Sequence, residues 1–376
     1  MASGTSGAAI ERGLIACLAA AICGVFLVLG IPGGSSLDGP IAPKEPWKRL
    51  DASAVIERLA FASCADQKKP QPIWRRLIDT KPDLLLMLGD NVYADLRDES
   101  ARELKEAYAA LAVHPDFAKV RASIPILATW DDHDYGRNDA GGDFPFKAVA
   151  RKLFDDFWSV ESERRARPGV YDARIHGPPG RRVQVILLDT RSFRSPWSAK
   201  KADATYRGPY GPDPDPSLTM LGPEQWAWLE RELKKPADIR FIVSSIQVVA
   251  ENHGFERWGL FPAERQRLHD LLKTTAVRGV VLLSGDRHVG AIYRKSAALP
   301  FSLVEVTSSS INRPLPPHYS VEDGGAERLG DAYREENFGL ASIDWTRRRL
   351  TIALYGLAGP DPVRHIKLEF ADIGLD

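Results

Sequence analysis

The architecture of this chain can be read from one segment, Leu84-Leu85-Leu86-Met87-Leu88-Gly89-Asp90-Asn91-Val92-Tyr93-Ala94-Asp95. Five apolar residues, Leu84 to Leu88, follow Pro82-Asp83 and stop at Gly89. A short apolar run between two breakers predicts a strand buried on both faces, as in a parallel sheet. Asp90, Asn91, Tyr93 and Asp95 then place carboxylates, a carboxamide and a phenol at the strand's C-terminal end, where open α/β sheets bind their ligands. Taken alone, Gly-Asp-Asn is an ordinary turn.

The pattern recurs along the chain. Ile124 to Trp130 is a second apolar run and empties into Asp131-Asp132-His133-Asp134. Val280 to Leu283 is a third and empties into Ser284-Gly285-Asp286-Arg287-His288, while Leu59 to Ala62 leads into Ser63-Cys64. Four candidate strands therefore end in metal-binding side chains, and the expectation is that they converge on one sheet edge. Oxygen ligands suit hard cations, and thiolate or imidazole suits transition metals.

Gly89-Asp90-Asn91-Val92-Tyr93, Trp130 to Asp134 and Ser284 to His288, in this order, resemble the motifs of the alkaline phosphatase D (PhoD-like) family of metallophosphatases. The resemblance runs from about Phe61 to Leu357 and takes in Leu187-Leu188-Asp189-Thr190-Arg191 and Glu264-Arg265. It implies a metallophosphatase-type α/β sandwich, two packed mixed β-sheets flanked by helices, as a single catalytic domain over residues 59–376. The activity it implies is metal-dependent hydrolysis of phosphomonoesters, phosphodiesters or both by a metal-bound hydroxide. A phospholipase-type diesterase acting on lipid head groups is an alternative. A non-catalytic metal- or phosphate-binding protein is the alternative from another class. Because the motifs begin directly after a linker, no separate N-terminal β-sandwich domain like that of the best-known members is expected.

With that resemblance, the candidate site residues take roles. Asp90 is read as the carboxylate bridging two metals, with Tyr93 reaching back as a phenolate and Cys64 and His288 completing the first shell. Asp132 and Asp286 hold the second metal, with Asp131 the alternative to Asp132. The first donor set suits a transition metal and the second a hard divalent ion. The resemblance points to Fe3+ and Ca2+, with Mn2+, Mg2+ or Zn2+ able to stand instead. His133 is placed to protonate the leaving oxygen, held by Asp134, while Arg287, Arg137 and Asn91 are candidates for gripping phosphate oxygens. Many two-metal phosphatases carry a histidine ligand near Ser244 to Gln247. This chain has none there, and Asn252 or His253 could stand in.

The rest of the chain bounds the context. Lys and Arg number 50 against 50 Asp and Glu in 376 residues, so no nucleic-acid partner is expected. Leu14 to Ile31 is an uncharged run of eighteen residues, at the short limit for a spanning helix. Residues 1–35 are read as a signal or membrane-anchor segment, more an uncleaved anchor than a cleaved signal, and 36–58 as a linker. The protein is thus expected to be exported, periplasmic or anchored facing outward. A small phosphate ester or phospholipid is its expected substrate, and the membrane its partner through that segment. Cys64 is the one cysteine of the exported body, which precludes a disulfide framework there. The long Pro- and Gly-rich stretch from Ser195 to Gly222 reads as a lid over the site.

Overall fold

A computed structural model describes residues 41, 43, 47–201, 204–296, 299–318 and 324–375. The expected anchor segment and most of the linker up to residue 46 lie outside them. Among the described residues, no helix is long and apolar enough to cross a membrane.

The chain starts one sheet, builds a second, and returns to finish the first. Strands β1 (Arg58–Ala62), β2 (Leu84–Met87) and β3 (Ile126–Ala128) run parallel. Next come β4 (Asp172–His176), β5 (Val183–Leu187), β6 (Ile239–Val243), β7 (Val280–Ser284), β8 (Gly290–Lys295) and β9 (Leu303–Ser308). They form a six-stranded sheet of order β4-β5-β6-β7-β9-β8, in which β5, β6, β7 and β9 are parallel. Finally β10 (Asn337–Asp344), β11 (Arg349–Gly356) and β12 (Arg364–Glu369) add antiparallel strands to the first sheet, giving β12-β11-β10-β1-β2-β3.

Strand alternation decides which side chains meet between the sheets. Leu59, Phe61, Leu84, Leu86 and Leu88 pack with Val185, Phe241, Val281 and Val306 of the second sheet in one core. Their neighbours Ala60, Ala62, Leu85 and Met87 face the other way, onto α1 (Ile73–Asp79), α2 (Arg102–Val113), α3 (Pro115–Ser123) and, beyond the tight turn α4 (Asp132–Tyr135), α5 (Lys147–Phe157). After the short α6 (Ser162–Arg165), α7 (Gly222–Leu233) and α8 (Pro262–Thr274) cover Ile186, Ile242 and Leu282 on the second sheet's outer face. Two buried faces per strand explain the unbroken apolar run at Leu84 to Leu88. The expected single sheet edge is corrected here: β1, β2 and β3 belong to one sheet and β7 to the other. The site lies where the C-terminal ends of both parallel sets come together.

Candidate metal centre

The candidate ligands stand on the turns that follow the strands, and those turns are backbone-strained. Cys64 (φ 61), Asp90 (φ 51), Asp286 (φ 66) and His288 (φ 55) all adopt the left-handed conformation. Non-glycine residues rarely do so, at a cost on the order of 1–3 kcal/mol each, and such residues cluster at functional sites. Two glycines let the turns close up. A Cβ on Gly89 would lie 2.5 Å from Asp131 Cβ, and one on Gly285 would lie 2.5 Å from Ser63 Oγ. The second contact joins the end of β7 to the end of β1, across the two sheets.

One corner of the centre is built from Cys64, Asp90, Tyr93 and His288. The Tyr93 hydroxyl donates to Asp90 Oδ2 at 2.9 Å and lies 3.2 Å from His288 Nε2. Cys64 Sγ is 3.6 Å from the same Asp90 oxygen. Ligand atoms of Cys64, Asp90 and His288 fall within 4.8 Å of one another. Burial pushes the Cys64 thiol and the Tyr93 phenol well above their ordinary values, and the Asp90 charge adds to both. Burial, with Arg313 and Arg287 nearby, pushes His288 down to about 3.

The other corner is carboxylate. Ligand atoms of Asp131, Asp132 and Asp286 also lie within 4.8 Å of one another, as do those of Asp90, Asp132 and His133. Asp90 is shared by the two corners. Burial, reinforced by Asp132, Asp134 and Asp286, raises the Asp90 carboxyl well above the usual range. Asp286 is raised by burial and by Asp131 and Glu256 against the opposing pull of Arg287. Asp132 goes the other way: burial would lift it, but His133 and Arg191 hold it low. Asp131 Oδ2, Asp132 Oδ1 and Asp286 Oδ2 are out of solvent with no hydrogen-bond partner. Buried carboxylate oxygens in protein interiors are almost always satisfied, so three together call for a cation or its equivalent.

Not every expected residue reaches the cleft. Asp134 does not hold His133: its carboxylate accepts the backbone N–H groups of Asp90, Asn91 and Asp131. It thereby ties the end of β2 to α4, and burial lifts it to about 7 against those bonds. Asn91 is fully buried and its amide donates to Thr129 O and to Asp134, so its N–H groups point inward rather than at a phosphate. Arg137 is exposed and lies over the Phe144 ring at 5.1 Å. His253 has both ring nitrogens engaged, with Gln247 and with the Phe255 N–H. His133, by contrast, is half-buried, packs against Tyr93 with ring centres 4.4 Å apart and planes tilted by 40°, and faces the recess of about 280 Å³ that Asp90, Asp132, Asp286 and Arg287 line. Arg207 and Pro209 of the 195–222 loop wall that recess, so the loop borders the site as a lid would. A larger cleft of about 470 Å³ between β3 and β4 contains none of the candidate ligands.

A family model described as PhoD-like phosphatase matches residues 59–354. The chain belongs to the PhoD-like phosphatase family. Alkaline phosphatase D of Bacillus subtilis (strain 168) is 24% identical over 296 residues, covering 66% of this chain and 48% of that protein. The PhoD-like chain thus spans about half the length of the curated relative it matches. The solved structure of PhoD superposes with a TM-score of 0.66 at 17% identity, over 86% of this chain and 70% of that one. GAP50, the anchor in the inner membrane complex of Plasmodium, gives 0.52 at 11% identity, over 84% and 89%. At those identities the two structures bear on the fold alone.

Sequence reasoning missed the support behind the carboxylates of this PhoD-like chain. Arg191, fully buried at the end of β5, donates to Asp131 at 2.7 Å through Nε and grips Glu256 with both terminal nitrogens at 2.6 and 2.7 Å. Ser245 Oγ, just after β6, donates to Asp131 at 2.5 Å, in the stretch where many two-metal phosphatases carry a histidine. The Asp139 N–H donates to Asp132 Oδ2 at 2.7 Å. Leu187 to Arg191 had the signature of the other strand ends, a buried run stopping at polar residues, and that signal was available.

Proposed function

We propose that this chain hydrolyses phosphate esters with two cations held between its strand ends. The observation that carries the reading is the set of three buried carboxylate oxygens without hydrogen-bond partners, next to a thiol, a phenol and an imidazole. These residues fit the group that the family name implies: the donors are of metal-binding type, they converge, and Arg191 and Arg287 offset only part of the carboxylate charge. Cys64, Tyr93, His288 and Asp90 would hold iron, because thiolate and phenolate are strong donors to a transition metal. Asp90, Asp132 and Asp286 would hold calcium or another hard divalent ion, with Oδ2 of Asp131 a further donor. When bound, such a pair neutralises the charge of a phosphate ester and lowers the pKa of a bound water toward neutrality.

The chain's own residues do the rest. His133, facing the recess, gives a proton to the departing ester oxygen. Packing against Tyr93 and the bond from its backbone N–H to Asp90 Oδ1 at 3.3 Å fix where that imidazole stands. Arg287, held over Phe255 at 4.2 Å beside Asp286, is set to grip a phosphate oxygen. Asp134 and Asn91 act one step back, locking the turns that carry Asp90 and Asp131. Monoesters and diesters are both within this chemistry. The same proposal takes the chain to be exported or anchored, on the strength of the uncharged run Leu14 to Ile31.

Metal content and turnover of a nitrophenyl monoester and a bis-nitrophenyl diester, measured on one preparation, test the reading. Turnover that needs bound metal is expected. Metal-bound protein inert on both esters would sink it. A fusion of residues 1–45 to a reporter active only outside the cytoplasm tests export, and a silent reporter would remove that part.

A further inference from the structure

We infer that Ser309, just past the end of β9, is a positioning residue that gives its hydroxyl proton to the Cys64 sulfur and fixes the His288 backbone. The inference rests on the reading of Cys64 and His288 as metal ligands. Three hydroxyl and thiol groups crowd this spot, all buried: Ser63, Cys64 and Ser309. Ser309 Oγ lies 3.2 Å from Cys64 Sγ, and Ser63 Oγ lies 3.4 Å from it. Counting protons separates the two serines. Each hydroxyl has one proton to give and two lone pairs to receive. Ser63 gives its proton to the Ser308 carbonyl at 3.0 Å, so it has none left for sulfur. Ser309 instead accepts the His288 N–H at 2.7 Å, which occupies a lone pair and leaves its proton free. The sulfur is the acceptor within reach of that proton. Once Cys64 binds metal as a thiolate it can only accept, so Ser309 becomes its donor.

Two consequences follow for the ligands. The bond to the His288 N–H holds that residue in its left-handed conformation, which brings the imidazole to 3.2 Å from the Tyr93 hydroxyl. The bond to sulfur draws electron density from the thiolate and so tunes what it donates to a metal. Hydrogen bonding around a cysteine ligand sets such properties elsewhere, and removing a partner of a ligand typically weakens metal binding about 10- to 100-fold. One side chain thus trims one ligand electronically and orients another.

The test uses the full chain loaded with Co2+ as the only added metal, read by thiolate-to-cobalt charge-transfer absorption. Cys64→Ser should abolish that band. Ser309→Ala should keep the band, shift it to longer wavelength and weaken Co2+ binding about 10- to 100-fold. Ser309→Thr should restore the wild-type position, and Ser63→Ala should leave it unmoved. Superimposable bands in wild type and Ser309→Ala would overturn the inference, as would an equal shift in Ser63→Ala. Should Ser309→Ala fail to fold, Ser309→Gly removes the same proton without adding volume, and an unshifted band there overturns it equally. A band that survives Cys64→Ser means that Cys64 is no ligand, which brings down the metal assignment and this inference with it. A Cys64 band with no esterase turnover would sink the hydrolase reading and leave Ser309 in place.

Discussion

The two corners of the centre are held in opposite ways. Around Cys64, Tyr93 and His288, protein groups satisfy one another: phenol on Asp90, N–H on Ser309, thiol beside hydroxyl. Around Asp131, Asp132 and Asp286, carboxylate oxygens outnumber the donors that reach them, and Arg191 is divided between Asp131 and Glu256. Donor identity decides which ion suits the first corner. In the second, charge balance decides whether the arrangement is comfortable without an ion at all. A soft site can be preorganised by neutral hydrogen bonds, but a site of clustered carboxylates relieves its repulsion without a cation only by holding protons, as the raised Asp90 and Asp286 carboxyls reflect.

Breaking the carboxylate corner should have the largest effect. Arg191→Met leaves Asp131 and Glu256 buried without their guanidinium, and loss of one partner of a buried pair costs about 3–5 kcal/mol. Urea unfolding should show that loss, and a midpoint equal to wild type would mean that the corner is not held by Arg191. His133→Ala removes an imidazole that packs on Tyr93 and neighbours Asp90 and Asp132, but takes away none of the side chains assigned to either ion. It should lower turnover about 10²- to 10⁴-fold with metals retained, and less on a nitrophenol leaving group that needs no protonation. Equal losses on good and poor leaving groups would give His133 another task. Next, a calcium chelator should separate the corners. It should inhibit the enzyme without removing iron, and remove the stabilisation that a cation at 100 times its Kd supplies, about 2.7 kcal/mol, read as a lower melting temperature. Iron and the hard ion leaving together would show that the corners do not load separately. The smallest effect should come from Tyr93→Phe, which removes one phenolate. A visible charge-transfer band should shift or bleach while the fold and the hard ion stay. A colourless, active, zinc-only protein would overturn the iron assignment and leave the hydrolase intact.

What the sequence revealed and what it hid divide along local and distant lines. Cys64, Asp90, Asp132, Asp286 and His288 were legible because each follows a strand by two to four residues. A buried run ending in a ligating side chain is a local pattern. The Arg191–Glu256 pair was not: the polar end of the Leu187 to Arg191 run is visible in the sequence, but its partner lies 65 positions away and is brought to it only by the fold. Asp134 misled by adjacency. Next to His133 in sequence, it turns away to satisfy three backbone N–H groups that the tight turns after β2 and β3 would otherwise bury bare. Arg137 misled in the same way, since the turn at Gly136 (φ 120) carries it out over Phe144. The long 195–222 stretch could be read as a loop from its prolines and glycines. That it would bring Arg207 and Pro209 to the recess could not.

The return of the chain to its first sheet sets a timetable for the nascent protein. Leu59 pairs with Ala341, and every residue proposed to bind metal has left the ribosome before β10 is made. Until then β1 has β2 on one side and an open edge on the other, the kind of edge that recruits foreign strands. The hazardous interval for this chain therefore comes late, when the chemistry is already encoded in the emerged polypeptide and three closing strands are still missing.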